Sequence, residues 1–133
     1  MKTSAFRSFL MVCLLALSSV AFADDAEIAG KLKGEWTGDW TIDKYAAKFV
    51  LIVTEVAGTN LKGEGQWYGT ATGDTKSALK TAVVKDGELS VEQADGAKFN
   101  VKLDGDKIKG TWVVGTYTGP LTASRTKSRT KLR

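Results

Sequence analysis

Glu35 and Asp39, in the stretch GEWTGDWTID (34–43), are the first residues of this chain whose type and spacing could do chemistry. Two carboxylates can share acid and base work at a glycosidic bond when they stand about 5–5.5 Å or about 6.5–9.5 Å apart. Here apolar and polar residues alternate, so both carboxylates fall on one side of a strand. Same-face neighbours on a strand are about 7 Å apart, so residues four apart are separated by about 13–14 Å, too far for either geometry. Asp104 and Asp106 flank Gly105 and read as turn formers. The chain has no histidine, and its single cysteine, Cys13, lies in a segment expected to be removed. Thiolate, zinc and Ser-His chemistry drop out together. No catalytic residue, metal ligand or cofactor is expected, and the chain does not read as an enzyme.

What remains is aromatic. Trp36, Trp40, Trp67 and Trp112 are each two residues from a glycine. Large rings beside the smallest residue suit a curved strand with a crowded inner face. The elements that must hold them are strands. Trp36, Gly38, Trp40 and Ile42 alternate with Glu35, Thr37, Asp39 and Thr41, and glycine and threonine disfavour a helix. The same period of two recurs at Phe49-Leu51-Val53, Leu61-Gly63-Gly65-Trp67-Gly69, Leu79-Thr81-Val83 and Leu89-Val91. It continues at Phe99-Val101-Leu103, Ile108-Gly110-Trp112 and Tyr117-Gly119-Leu121-Ala123-Arg125. Asp86-Gly87 and Asp95-Gly96 supply hairpin turns. One short helix is expected, from about Glu27 to Leu32. Eight sequential strands predict an all-β fold, an eight-stranded antiparallel up-and-down barrel, because closure removes both edges and buries the apolar face.

A barrel of this size is filled by side chains or holds one small ligand. The period of two places Trp40, Trp67, Trp112 and Tyr117 in the interior as the candidate ligand-binding residues. Thr81 is the one polar side chain expected among them. Buried indole N–H groups need acceptors, so ligand oxygens or water are expected to serve most of the four. On the outer face, strand 48–56 carries Val50, Ile52 and Val56. These predict a covered surface, by the N-terminal segment, a second copy of the chain or another protein.

The two ends of the chain differ in kind. Lys2 and Arg7, the apolar run from Phe9 to Phe22 and Ala21-Phe22-Ala23 form a signal-peptide pattern over 1–23, with cleavage near Ala23. Leu10-Met11-Val12 before Cys13 lacks the small residues of a lipobox. Export to the periplasm or the medium is expected, with a barrel domain over 24–125 and a tail over 126–133. From Asp24 to Ser124 the chain has 12 basic and 15 acidic residues, and Arg125 to Arg133 adds five basic ones. The tail cations Lys127, Arg129, Lys131 and Arg133 suit an anionic envelope surface. No aromatics are interleaved with them, which disfavours nucleic acid.

Gly34-Glu35-Trp36 at the start of the first strand resembles the G-x-W signature of lipocalins and their calycin relatives, and Arg125 late in the last strand resembles the basic residue that packs over that tryptophan. The resemblance implies a calycin-like barrel in which Gly34, Trp36 and Arg125 make a structural closure. Avidins also open with G-x-W, but TGDWTID does not match their biotin-binding run. Three functional readings follow: a carrier of a small apolar or aromatic ligand, a protein-binding module such as an inhibitor of an exported hydrolase, or a purely structural envelope protein. Small periplasmic protease and lysozyme inhibitors resemble this architecture, although they usually carry a disulfide.

Overall fold

The computed structural model describes residues 25–126. The signal-peptide pattern over 1–23 and the tail residues Lys127, Arg129, Lys131 and Arg133 lie outside them. A short helix over 25–31 leads into β1 (Gly34–Ile42), β2 (Tyr45–Ala57), β3 (Asn60–Thr70) and β4 (Gly73–Lys85). β5 (Glu88–Gln93), β6 (Lys98–Asp104), β7 (Lys107–Val114) and β8 (Tyr117–Arg125) follow. Each strand pairs antiparallel with the next, and β8 returns to β1, so the eight strands form a closed up-and-down barrel.

The alternation that defines the strands also defines the inside. Trp36, Phe49, Leu51, Leu89, Val101, Ile108 and Leu121 are buried in one core cluster. Their sequence neighbours Glu35, Lys48, Lys102, Lys107, Lys109 and Thr122 are exposed. The exterior is therefore polar and the interior apolar, the reverse of a lipid-spanning barrel. Inward glycines allow the strands to press together where the sheet bends. A Cβ on Gly110, for example, would collide with the carbonyl oxygen of Asn100 on β6.

Besides a bulge near the end of β3, between Trp67 and Thr70, two bulges change which residues enter the core. Between Val53 and Glu55 the β2–β3 register shifts by one residue, leaving Thr54 and Glu55 both exposed. Val56, expected outside, consequently turns in and packs against the core. The β4–β5 register shifts in the same way between Leu79 and Thr81. Ala82 and Val84 become the buried residues of that strand end, while Thr81 and Val83 are exposed. An extra residue opposite a single partner reverses the facing of everything after it.

The chain closes one end of the barrel itself. Ala29 and Leu32 of the N-terminal segment are buried in the core cluster, with Ile28 packed against it. The Asp25 carboxylate accepts hydrogen bonds from the main-chain N–H groups of Asp86 and Gly87, at 3.1 and 2.9 Å, and so ties the start of the helix to the β4–β5 turn. The N-terminal segment thus plugs the barrel and does not cover the outer face of β2. On that face Val50 is only 4% exposed, lies outside the core cluster, and has Thr37 and Gln66 as cross-strand neighbours. Gln66 is held by hydrogen bonds with Glu64 and Tyr68. Ile52 is half-buried between Glu35 and Glu64. The expected apolar strip shrinks from three residues to two, flanked by polar ones.

Candidate functional site

The closed end is built around Trp36. Its Nε1 donates to the Leu32 carbonyl at 2.9 Å, and the Arg125 guanidinium lies over its ring, 4.4 Å from the centroid. The strand register pairs these two residues directly across the β1–β8 seam. Arg125 also donates from Nη1 to the Lys33 carbonyl at 3.1 Å and from Nη2 to the Lys31 carbonyl, satisfying the end of the helical segment. Gly34 has φ +120°, and a Cβ there would stand 3.4 Å from Arg125 Nη1. That is ordinary contact, so it is the positive φ, not lack of space, that favours glycine there. Asp106 adds an ion pair to Arg125 Nε at 3.5 Å, on a carboxylate so exposed that it contributes little. These groups are all occupied with one another.

The opposite end is open. Trp40, Trp67 and Trp112 gather there, with centroids 5.5 to 6.2 Å apart and planes crossing at 57 to 86°. Phe49 and Phe99 pack edge-on below Trp67. Above the tryptophans a cup of about 690 Å³ opens to solvent, within the size range of small-molecule sites. Ile42, Tyr45, Val114 and Tyr117 form one wall; Thr70, Thr72, Thr75 and Asp95 stand among the residues of the other. Tyr117 is 63% exposed and lines the mouth of the cup, not the packed interior where the alternation places it. Thr81 is absent from the cup altogether. After the β4 bulge it lies on the outer surface, in a shallow depression with Ser90, Asn100 and Thr111.

The indole N–H groups all find partners within the chain. Trp40 donates to the Tyr68 carbonyl and Trp112 to the Thr41 carbonyl, each at 2.9 Å. Trp67 donates to Oε1 of Gln93 at 2.6 Å. The expectation that ligand or water must supply these acceptors is therefore overturned. Gln93, completely buried, is a residue that the sequence reading misses. Its Nε2 donates to the carbonyls of Gly65, at 3.0 Å, and Ser77, at 2.8 Å. One carboxamide thereby links β3, β4 and β5 beneath the cup. Gly65 makes room for it, since a Cβ there would come within 2.8 Å of the carboxamide. Continuing the period of two from Leu89 and Val91 by one step would find Gln93.

The carboxylates of the first strand, Glu35 and Asp39, are exposed on the barrel exterior, away from the cup. Among the described residues, no group of three acidic side chains is arranged to hold a metal ion.

No family model matches the chain, and no curated protein matches it. Among solved structures, it is similar to one described as a redesigned beta barrel, b11L5F_LGL. The two share 14% identity with a TM-score of 0.61, over 75% of this chain and 96% of the other. At that identity the likeness concerns the β-barrel fold alone.

Proposed function

We propose that this chain is an exported, calycin-like binding protein whose open cup takes up a small, largely apolar molecule, and that it is not an enzyme. The observation that carries this reading is the cup itself: about 690 Å³ over a floor of three indoles. A barrel that only needed a core would gain by filling that space, because unfilled apolar surface forgoes both burial and packing. With their N–H groups already bonded inside the chain, the indoles can be covered by an apolar ligand at no cost in unsatisfied donors. Gly34, Trp36 and the crossing Arg125 support the calycin resemblance, and the signal-peptide pattern supports export.

Organic extraction of protein purified from its source, followed by mass spectrometry, should release a discrete small molecule. Titration of the emptied protein with that compound should change its tryptophan emission. A clean extract, together with emission that no apolar ligand perturbs, would remove the carrier reading. The protein-binding alternative retains only Val50 and Ile52 of its expected surface, and Val50 is already buried. The basic tail over 126–133 supports a second, separable contact with an anionic envelope surface, which salt should weaken.

A further inference from the structure

We propose that the cup selects a small organic cation, an amine or quaternary ammonium on an apolar skeleton. This rests on the reading of the cup as a ligand site and names the chemistry it prefers. Three observations point the same way.

The first is charge. Asp95 is the one charged side chain among the residues that line the cup; no lysine or arginine lines it. The carboxylate is held in place by its turn: Oδ1 accepts from the Ala97 N–H at 3.1 Å, and the Asp95 N–H donates to Ser77 Oγ at 3.0 Å. A ligand anion would meet a negative charge and no cation.

The second is the direction of the donors. Trp40, Trp67 and Trp112 each spend their N–H on an acceptor within the chain. None of these N–H groups is left to bind a carboxylate or carbonyl oxygen of a ligand, and the donors that remain at the cup are neutral hydroxyls such as those of Thr75 and Tyr117. What the rings still offer is the negative potential of their π faces. Three planes crossing at 57, 72 and 86° cannot all stand edge-on to a single approach, so the sliver of indole left at the cup floor, at most 7% of any ring's residue, is not made of ring edges alone.

The third is an internal counterpart. At the closed end Trp36, on the same strand and the same face as Trp40, is covered by a guanidinium 4.4 Å from its centroid. The tryptophans of the open end have no such partner among the described residues. An aromatic enclosure beside a carboxylate is the arrangement that recognises alkylammonium groups through cation–π attraction.

The test uses ligands of closely similar shape and different charge: benzyltrimethylammonium, its neutral carbon isostere neopentylbenzene, and the anion phenylmethanesulfonate. Each is titrated into the emptied full-length mature protein and followed by tryptophan emission. The cation should bind about tenfold more tightly than the neutral isostere, and the anion should bind weakest. Asp95→Asn, in an exposed turn, should narrow the gap several-fold by weakening the cation alone. Equal or tighter binding of the neutral compound overturns the proposal and leaves the apolar cup standing. So does a preference that survives Asp95→Asn at full size, or tightest binding of the anion. Failure of all three ligands to bind overturns this proposal, while the carrier reading stands or falls separately on the extraction.

Discussion

Trp36 and Trp40 are four residues apart on one face of one strand, yet they belong to two different ends of the molecule. At the closed end a helix, a guanidinium and a carbonyl leave Trp36 no exposed surface. At the open end the same residue type, equally satisfied through its N–H, borders a cup. Strand, facing and hydrogen bonding therefore do not separate a core indole from a site indole. The difference lies in what the chain places beyond each ring along the barrel axis. At one end the N-terminal segment fills that position; at the other the hairpins stop short.

The sharpest way to break this contrast is to empty the closed end. Trp36→Ala should cost about 3–5 kcal/mol in a denaturant melt, as the loss of a fully buried large aromatic does. If the cost is below about 1 kcal/mol, the plug does not support the barrel. Gln93→Leu comes next. It leaves the Trp67 N–H and the carbonyls of Gly65 and Ser77 without their buried partner, at a cost on the order of 2–4 kcal/mol. Trp67 emission should shift as well, because the ring loses its tether. Unchanged emission would mean that Gln93 fills space without fixing the floor of the cup.

Arg125→Ala should cost about 1–3 kcal/mol through loss of the cation–π contact, the stem packing and the carbonyl caps. Lys127→Ala, two residues further on, should stay within about 0.5 kcal/mol of the parent. Matching melts for the two variants would place Arg125 with the tail. The smallest stability effect belongs to the mouth. Tyr117→Ser removes a ring that is mostly in water and should change stability by less than about 0.5 kcal/mol. Ligand affinity measured by fluorescence titration should nevertheless fall several-fold. A variant that loses stability but keeps affinity would make Tyr117 part of the scaffold.

The two ends are also unequally legible in the sequence. Trp36 and Arg125 can be paired from residue order alone, because both have inward parity and a closed meander brings the start of its first strand to the end of its last. The strand count and the closure follow from the same period of two. That period misleads where the ladder gains a residue. Thr54 and Lys80 are ordinary surface residues, and nothing local marks them as unpaired; only the partner strand does. Counting by twos therefore puts Val56 and Thr81 on the wrong faces. Gln93 escapes notice for another reason. The turn residues Ala94-Asp95-Gly96 draw the apparent end of the strand back to Val91, although β5 runs through Gln93 before turning. The short helix is visible, but its destination is not, since its apolar face at Ile28, Ala29 and Leu32 fits a barrel end as well as an outer wall.

The β1–β8 seam has a consequence in time. Seven of the eight strand pairings join neighbours in the chain, and each can form as a hairpin. The eighth joins the two ends of the barrel sequence; Thr37 and Thr126, bonded across it, are 89 residues apart. The entropy of closing that loop must be met before its contacts return anything, and β8 is the last of the strands to leave the ribosome. Topology therefore predicts that the seam is the last joint made and the first released. Interactions formed after the rate-limiting step slow unfolding without hastening folding. On that order, Arg125 lying across Trp36 is expected to work as a latch: its loss should speed opening of the ring and leave the rate of assembly, set by the seven hairpins, unchanged.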